Sequence, residues 1–338
     1  MKVLLYDTTH AFLTPGGKMT HALKLQQEIS KKGIDIQFSQ WWNKGQEDAD
    51  IIHFLCADLH VAKLAKQKGM KTFLSCIFDY ESNKSPMEQK KAILKYRIKD
   101  MIPAQLGVVK YWKAFEFMDC IQFMHVYDRN TALRYFPHEL SLKKTIIIPH
   151  AYDPADMFIS GNENVYNIEL PDKYLVSVAN ISERKQTLKL ASLAKKAEVP
   201  IVFLGSRNLS DPYFKEFAKM VDNKYVIYPG FVSKECKDYI EKNASGYVLL
   251  SKGESGCIAV YEAAAYKLPL LLSNLPWAWG YEKPTDIHFF DDTDNVSGAK
   301  ILKDFFLSSN KLDHMPFEAH TWGEIADLYI NEYKKLLL

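Results

Sequence analysis

The sequence lacks the long apolar segment that a membrane-spanning helix requires. No stretch approaches 18 uninterrupted apolar residues, so we expect no transmembrane helix. The apolar run within residues 1–7 is too short for the hydrophobic region of a secretory signal peptide, and no small-residue cleavage site follows it. These absences predict a cytoplasmic protein, with a peripheral position at the cytoplasmic membrane face as the alternative.

Cysteine is scarce, and its five positions show no pairing pattern. An odd count without a Cys-x-x-Cys pair argues against a disulfide framework and against a structural zinc site. No His-x3-His pair occurs, and the Asp-x-Asp strings at 48–50 and 292–294 are typical of solvated turns. We therefore expect free thiols in a reducing compartment and no bound metal. The cysteines are Cys56, Cys76, Cys120, Cys236 and Cys257.

The chain also lacks a large excess of charge of either sign. Its 43 lysines and arginines stand against 41 acidic residues, and this net charge of +2 argues against a protein that mainly binds nucleic acid. Hydrophobic residues make up 47% and charged residues 25%, which excludes a disordered chain. A length of 338 residues predicts two domains.

What the sequence contains is a repeated alternation of short β-branched runs with helical patterns. Near-continuous apolar strands separated by helices indicate parallel sheets covered on both faces. Twelve strands are many for one open sheet, so the fold class is α/β with two doubly wound, Rossmann-like sheets. The predicted strands are 2–6, 34–38, 51–54, 71–75, 121–125, 145–148, 174–178, 200–204, 225–228, 247–250, 268–272 and 288–290.

A polar segment at 160–172 marks the boundary between the two sheets. It predicts one domain at 1–165 and a second at 166–320. The last stretch, 321–338, has the period of an amphipathic helix. Ligands of such sheets bind where the strands end, so function is expected in the strand-to-helix loops.

The segment after the tenth predicted strand has the most chemical content. Glu254 lies in the loop, and a helix is predicted to begin near Gly256, with Glu262 about two turns inside it. The amides of Ser255, Gly256 and Cys257 would then face outward at a helix N-terminus, which attracts phosphate. A deeper carboxylate can accept hydrogen bonds from both hydroxyls of a ribose. Read singly, each glutamate is more typical of a capping or solvated side chain.

The spacing of Glu254 and Glu262, followed by Ala263 and Pro269, resembles the E-x7-E motif of the retaining glycosyltransferases of the GT-B fold (group 1, family 4-like). Cys257 stands where that family usually has a second glycine. The resemblance implies two Rossmann-like domains facing a cleft, an N-terminal domain for the acceptor and a C-terminal domain for a nucleotide-sugar donor. It also implies a C-terminal helix that crosses back to the first domain.

Other segments resemble the family in order and spacing, so the likeness covers most of the chain. Residues 14–18 are similar to its glycine-rich loop, and 148–153 to its "I-P-N-G-V-D" turn. Residues 177–186 are similar to its "V-G-R-x4-K-G" segment, and 229–232 to the loop that borders the nucleobase. The closing helix is similar to its C-terminal helix.

The resemblance assigns the charged residues to the donor. Lys185, with Arg184 beside it, would neutralise the diphosphate as it leaves, which is electrostatic stabilisation of the transition state. The family's arginine position holds Asn180 here, which departs from the pattern. Glu262 would bind the ribose, and Glu254 the sugar hydroxyls.

Backbone and apolar contacts to the donor are implied as well. The amides of residues 255–257 would contact the sugar or a phosphate. Gly16 and Gly17, after the first strand, would allow a tight turn and close approach of a phosphate, although surface turns share this composition. Val232 would lie near the nucleobase.

Two further residues are weaker candidates for contacting the acceptor or the sugar. The family often has a histidine near its fourth strand, and none occurs at 74–80; Asp79 is the nearest polar residue. His150 replaces the asparagine of its turn. For both, a structural role, as a cap or a buried histidine, stays open.

A basic, aromatic segment at 84–113 stands apart from these motifs. Eight lysines and arginines against two acidic residues give it a net charge of +6, with apolar and aromatic residues between them. Such a helix can lie on an anionic membrane surface. The alternative is an ordinary amphipathic helix with a solvated basic face. No recognition motif accompanies the charge, so nucleic-acid binding is not expected.

Together these features predict a retaining glycosyltransferase that moves a sugar from a nucleotide-diphosphate sugar to a hydroxyl of a glycan or lipid-linked acceptor. The resemblance implies that the leaving phosphate deprotonates the acceptor, without a metal or other cofactor. Two alternatives stay open: a non-catalytic nucleotide-sugar-binding protein, and a nucleotide-sugar epimerase of the same fold. An NAD-dependent enzyme is disfavoured because no G-x-G-x-x-G follows the first strand of either half.

Overall fold

The computed structural model describes residues 1–8, 16–40, 42–78, 81–103, 106–154, 168–230, 232–291 and 294–338. These residues form two compact units, Met1–His150 with His320–Leu338, and Ala151–Ala319. Each unit holds one parallel six-stranded sheet with helices packed around it, so the predicted α/β class with two doubly wound sheets is confirmed. The predicted boundary between residues 165 and 166 falls outside the described residues and stays a prediction.

All twelve predicted strands exist, and no end shifts by more than two residues. They are β1 (Lys2–Tyr6), β2 (Asp35–Phe38), β3 (Ile51–Phe54), β4 (Lys71–Cys76), β5 (Cys120–Phe123), β6 (Lys144–Ile147), β7 (Leu175–Val178), β8 (Ile201–Leu204), β9 (Val226–Ile227), β10 (Gly246–Leu249), β11 (Leu270–Ser273) and β12 (Ile287–Phe290).

Helices connect most of these strands and cover both faces of each sheet. They are α1 (Gly17–Lys31), α2 (Leu59–Gln67), α3 (Pro86–Met101), α4 (Val126–Tyr135), α5 (Pro137–Leu140), α6 (Thr187–Ala197), α7 (Pro212–Met220), α8 (Lys234–Asn243), α9 (Ile258–Ala265), α10 (Asn295–Ser308) and α11 (Trp322–Leu337). A 3₁₀ helix also spans Tyr111–Phe117.

The first sheet has the strand order β2-β1-β3-β4-β5-β6. β3 and β5 are buried along their whole length, as expected for strands covered on both faces. The chain moves from β1 to β2 on one side and then returns to place β3 on the other side of β1. This reversal makes the edge above β1 and β3 a topological switch point, where doubly wound sheets bind ligands.

Helix α11 lies with the first unit, as the fold class predicts. Thr321 and Glu324 form a capping box at its N-terminus, which satisfies two otherwise unpaired backbone amides. Its aromatic face is buried, and the Tyr333 hydroxyl lies 2.6 Å from Nδ1 of His53 on β3. The C-terminal helix is thus fixed to this sheet by both apolar packing and a buried polar contact.

The second sheet has the strand order β12-β11-β10-β7-β8-β9. β7 lies in its centre and pairs in parallel with β8 on one side and β10 on the other. Two apolar cores cover its faces, one around Tyr247 and Trp277 and the other around Phe203 and Phe217. The switch point of this sheet therefore lies between β7 and β10.

All five cysteines are free thiols; four are buried and Cys56 is half-buried. Within the described part of the chain, no helix has the length and apolar character needed to cross a bilayer.

Candidate functional site

The loops after β7 and β10 meet at the switch point of the second sheet. The amide of Lys252 donates a hydrogen bond of 2.8 Å to the carbonyl of Arg184, which ties the two loops together. The loop after β7 carries Asn180 and Lys185, and the loop after β10 carries Glu254. Residues separated by about 70 positions in the chain thus form one site, within the second unit.

Helix α9 begins later than the sequence analysis predicts. Gly256 has a φ of +111°, a value that side-chain-bearing residues rarely adopt, and Cys257 is the N-cap residue of a helix that starts at Ile258. The helix therefore begins two residues after Gly256, because the left-handed turn keeps Ser255 and Gly256 in the loop. Glu262 lies about one turn inside α9 rather than two.

Glu254 is the centre of the polar contacts in this site. Its side chain is almost fully buried, and Oε1 lies 2.7 Å from Nζ of Lys185 and 3.0 Å from a guanidinium nitrogen of Arg184. The hydroxyl of Ser251 donates a third hydrogen bond to the same oxygen, at 2.5 Å. The structure thus brings together the three residues that the sequence analysis placed in catalysis.

Lys185 is a buried cation whose charge is maintained by its neighbours. Burial lowers the pKa of its ammonium group, but Cys257 and the Glu254 carboxylate outweigh this effect and the pKa is raised overall. Burial also raises the pKa of the Cys257 thiol, which keeps that group protonated near neutral pH. The charge that holds Lys185 protonated is therefore the carboxylate of Glu254.

Arg184 lies at the exposed side of the same cluster. Its guanidinium donates hydrogen bonds to the Gly253 carbonyl at 2.8 Å and to Glu254 at 3.0 Å. Lys185 precedes α6 rather than opening it, because Gln186 has a φ of +52° and the helix begins at Thr187. Both cations are consequently loop residues held by the opposite loop.

Asn180 is uncharged and stands at the position where the family has an arginine. It is exposed just after β7, and its Oδ1 accepts a hydrogen bond of 2.9 Å from the hydroxyl of Ser206. Arg184 is therefore the second cation of this cluster. Arg184 lies four positions further along the chain than Asn180.

Glu262 belongs to a second charged cluster, which the sequence analysis did not predict. Nζ of Lys237 on α8 lies 2.8 Å from Oε2 of Glu262 and 3.5 Å from Oε2 of Glu241. Glu241 is fully buried, and neither of its carboxylate oxygens accepts a hydrogen bond from the residues that the structure describes. Burial raises the pKa of Glu241 to about 8, while Lys237 opposes the rise and Glu262 and Asp238 add to it. The i, i+4 spacing of Lys237 and Glu241 is visible in the sequence, but their closeness to Glu262 is a tertiary feature.

Several predicted residues have positions that leave their roles untested. Gly17 is the first residue of α1, and Gly16 has an extended φ of 171°, which any residue can adopt. The backbone is therefore extended at Gly16 itself, and the predicted tight turn and close approach of a phosphate stay predictions. Val232 is half-buried against the core around Tyr247. Asp79, Thr14, Pro15 and Phe231 lie outside the described residues.

His150 is buried in the first unit, at the end of β6. Its Nδ1 lies 3.3 Å from Nδ1 of His21, and its ring packs edge-on against Trp322 of α11. Burial and the neighbouring histidines hold the pKa of His150 well below its usual range, so the ring is neutral near pH 7. These contacts describe a packed side chain; its predicted contact with a sugar stays a prediction.

Comparison with protein families identifies the second unit. Residues 160–315 match the family described as glycosyl transferases group 1. The second unit is a group 1 glycosyltransferase domain. The resemblance stated from the E-x7-E segment is thereby confirmed, because both glutamates lie inside the matched residues of this group 1 domain. A comparison with curated proteins found no match.

Solved structures with the same fold cover nearly the whole chain. A sucrose-phosphate synthase from Thermosynechococcus elongatus is 12% identical, with a TM-score of 0.69 over 100% of this chain and 99% of its own. A UDP-forming α,α-trehalose-phosphate synthase from Burkholderia xenovorans is 12% identical, with a TM-score of 0.64 over 97% and 81%. A trehalose-6-phosphate synthase studied for glycosyl transfer with retention is 12% identical, with a TM-score of 0.59 over 84% and 73%. Identity this low shows the fold, which is the GT-B fold in both units.

Proposed function

We propose that the protein transfers a sugar from a nucleotide-diphosphate sugar to an acceptor hydroxyl, with retention of the anomeric configuration and without a metal ion. The observation that carries this proposal is the cluster of Lys185, Arg184 and Glu254 at the switch point of a group 1 glycosyltransferase domain. A diphosphate is the ligand whose charge such paired cations complement. The coarser conclusion, a glycosyltransferase fold with a nucleotide-sugar site, agrees with the solved structures.

The two cations would act on the leaving group. As the bond between the anomeric carbon and the diphosphate oxygen breaks, negative charge grows on that oxygen, and Lys185 and Arg184 stabilise it. Because both side chains are already held by Glu254, little reorganisation is needed when the charge develops. Glu254 itself is largely buried behind them, so its main role in this proposal is to hold the cations, with sugar contact as a second role.

The rest of the donor is assigned to neighbouring groups. Glu262, a quarter exposed on α9, would accept hydrogen bonds from the ribose hydroxyls. The left-handed turn at Gly256 leaves the amides of Ser255 and Cys257 in the loop, where they can contact a phosphate or the sugar. Val232 would border the nucleobase.

The transfer balances without a protein base. The acceptor oxygen forms a bond to the anomeric carbon, the carbon–oxygen bond to the diphosphate breaks, and the acceptor proton passes to the leaving phosphate. Attack on the face that the leaving group vacates gives retention. Support for retention and for a uridine donor comes from trehalose-phosphate synthases of the same fold, one of which is UDP-forming and another of which was studied for glycosyl transfer with retention.

A peripheral membrane contact through 84–113 belongs to the same proposal. In α3, Met87, Leu94, Ile98 and Met101 are all exposed, at spacings of 7, 4 and 3 residues that place them on one helix face. Exposed lysines and Arg97 lie between them. An ordinary amphipathic helix buries its apolar face, whereas this one leaves it outward among cations. That arrangement is typical of a helix that binds an anionic bilayer surface.

The proposal is tested by release of nucleoside diphosphate from a panel of UDP-, GDP- and ADP-sugars with EDTA present, comparing the wild type with Glu262→Ala. We expect one donor to be hydrolysed slowly by the wild type and at least tenfold less by the variant, since ribose contacts are lost. Binding without turnover, even with mixed acceptors, would favour the non-catalytic alternative. Conversion of the donor sugar to its epimer would favour the epimerase.

A further inference from the structure

A pocket of about 390 Å³ opens at the carboxyl-terminal edge of the first sheet, in the size range of small-ligand sites. It lies beyond the ends of β3 and β4, and Lys18, from the first turn of α1, reaches it from the β1 side. This is the switch point of the sheet, where doubly wound folds bind ligands. The group 1 family match does not cover these residues.

The walls of this pocket are mainly apolar. Strand β4, the loops after β3 and β4, and the 3₁₀ helix contribute the aliphatic and aromatic side chains. Of these, Leu74, Phe78 and Phe115 are buried core residues and Ile77 is partly exposed. Ala57 and Cys56 complete the β3 side. A pocket that recognised a sugar ring would need several polar side chains to match its hydroxyls. These walls instead favour an apolar ligand, because its transfer from water into the pocket lowers the free energy.

Among the described lining residues, polar side chains are few, and those of Lys18 and Ser75 are already paired. Nζ of Lys18 lies 2.6 Å from a carboxylate oxygen of Asp7. The hydroxyl of Ser75 lies 2.8 Å from Nε2 of His53, a buried partner in the core. Lys18 is thus the one lining residue among the described residues that brings a cation to the pocket, at its α1 side.

The pocket is directly connected to the apolar, basic helix α3. Tyr111 lines the pocket, and its hydroxyl lies 3.0 Å from the hydroxyl of Tyr96 on α3. The ring of Tyr96 also packs edge-on against Trp112, at a centroid distance of 4.9 Å. A single layer of aromatic side chains therefore separates the pocket from a helix whose opposite face presents exposed apolar residues and lysines.

We propose that this pocket binds the apolar chain of a lipid acceptor, which is the substrate class for the transfer reaction; the inference rests on the proposed function. The apolar walls select the chain, and α3 places the pocket beside the bilayer from which such an acceptor comes. We infer an alkyl chain rather than an aromatic group as the ligand because Tyr111 connects the pocket to α3, the helix proposed to contact the bilayer.

Binding of n-alkyl β-glucosides, kept below their critical micelle concentrations, tests the chain specificity without any donor. We expect glucose not to bind, and the affinity from butyl to hexyl to octyl glucoside to rise about fourfold per buried methylene. Phenyl β-glucoside, with the same carbon number as the hexyl compound, should bind more weakly than it. Affinity independent of chain length, or a preference for the phenyl compound, would overturn the proposal.

The site of binding is tested by Ala57→Phe, which fills the pocket, and by alkylation of Cys56. Cys56 is the half-buried thiol among five, so a maleimide should label it first, and Cys56→Ser gives the blank. We expect octyl glucoside, but not glucose, to slow labelling at least fivefold, and Ala57→Phe to weaken octyl glucoside binding at least tenfold with an unchanged Tm. If Ala57→Phe unfolds, protection of Cys56 from maleimide labelling in the wild type still tests whether the chain binds in this pocket. Chain-dependent binding without protection would place the chain elsewhere and contradict the proposal.

These measurements separate the pocket from the transferase reaction. Loss of alkyl glucoside binding with normal nucleoside diphosphate release would overturn the acceptor class alone. Alkyl glucoside binding without any donor turnover would leave the pocket as a lipid-chain site and remove its assignment as an acceptor site.

Discussion

At the scale of single residues, the carboxylate of Glu254 accounts for the position of both cations. Buried charges are stable only when paired and hydrogen-bonded, and Glu254 supplies that pairing to the buried Lys185. From the same loop, Glu254 also binds the more exposed Arg184. The E-x7-E resemblance predicts that Glu254 and Lys185 belong to one site. It does not predict that the carboxylate contacts the lysine, because their separation in sequence carries no information on side-chain direction.

The second charged cluster, around Lys237, has a consequence for the pH dependence of stability. Glu241, fully buried near Lys237, Glu262 and Asp238 and packed by Tyr247 and Tyr266, has its pKa raised to about 8. The folded state therefore keeps a proton that the unfolded state, with an ordinary glutamate pKa, has lost. The stability contributed by this group is present below the ordinary pKa and is lost as the pH rises toward 8.

We expect Glu241→Gln to remove that part of the pH dependence. The free energy of unfolding of the wild type should fall between pH 6 and pH 8 with a contribution of at most about 1.4 kcal/mol per pH unit from this residue. Urea unfolding at pH 6, 7 and 8 measures it, with the exposed Glu235→Gln on the same helix as control. Parallel slopes in the wild type and Glu241→Gln would show that Glu241 does not carry the proton.

At the scale of elements, the strands were predictable and the loops were not. Continuous apolar runs such as β3 and β5 are recognisable because both faces are buried. The start of α9 was misplaced because the left-handed conformation of Gly256 is a local feature that hydrophobic periodicity does not report. The short helix α5 and the 3₁₀ helix at Tyr111–Phe117 are below the length that such periodicity can indicate.

Helix α3 is the element whose exposed face has the most direct test. We expect the wild type to sediment with vesicles containing phosphatidylglycerol but not with pure phosphatidylcholine vesicles, and 0.5 M NaCl to release it, because the attraction is partly electrostatic. Leu94→Ser with Ile98→Ser should weaken binding about tenfold, since two apolar anchors are lost. Leu64→Ser, at an exposed position of α2, is the matched control.

That experiment distinguishes the membrane face from an ordinary solvated helix. Equal sedimentation with both kinds of vesicle, or equal loss in the double variant and in Leu64→Ser, would contradict a specific contact of α3 with an anionic surface. Folding of each variant is checked by its Tm.

At the scale of the whole molecule, each sheet carries one site at its own switch point. In the second unit this edge holds a charged cluster, and in the first it holds an apolar pocket. The sequence predicted the two sheets and the charged site, the latter through a family resemblance rather than through periodicity. It could not predict the pocket, because Lys18, Leu74 and Tyr111 are distant in sequence and are brought together only by the sheet.

The central claim is that the cluster around Lys185 binds the diphosphate of a nucleotide sugar. Calorimetric titration of uridine, guanosine and adenosine diphosphates with EDTA present tests it on the wild type, Lys185→Met, Lys185→Arg and the control Lys189→Met, in the first turn of α6. We expect one of the three diphosphates to bind, with equal affinity for the wild type and Lys189→Met. Its affinity for Lys185→Met should be at least tenfold lower, and that for Lys185→Arg should lie between these values. Equal binding by Lys185→Met and Lys189→Met, or binding of no diphosphate by the wild type, would contradict the account.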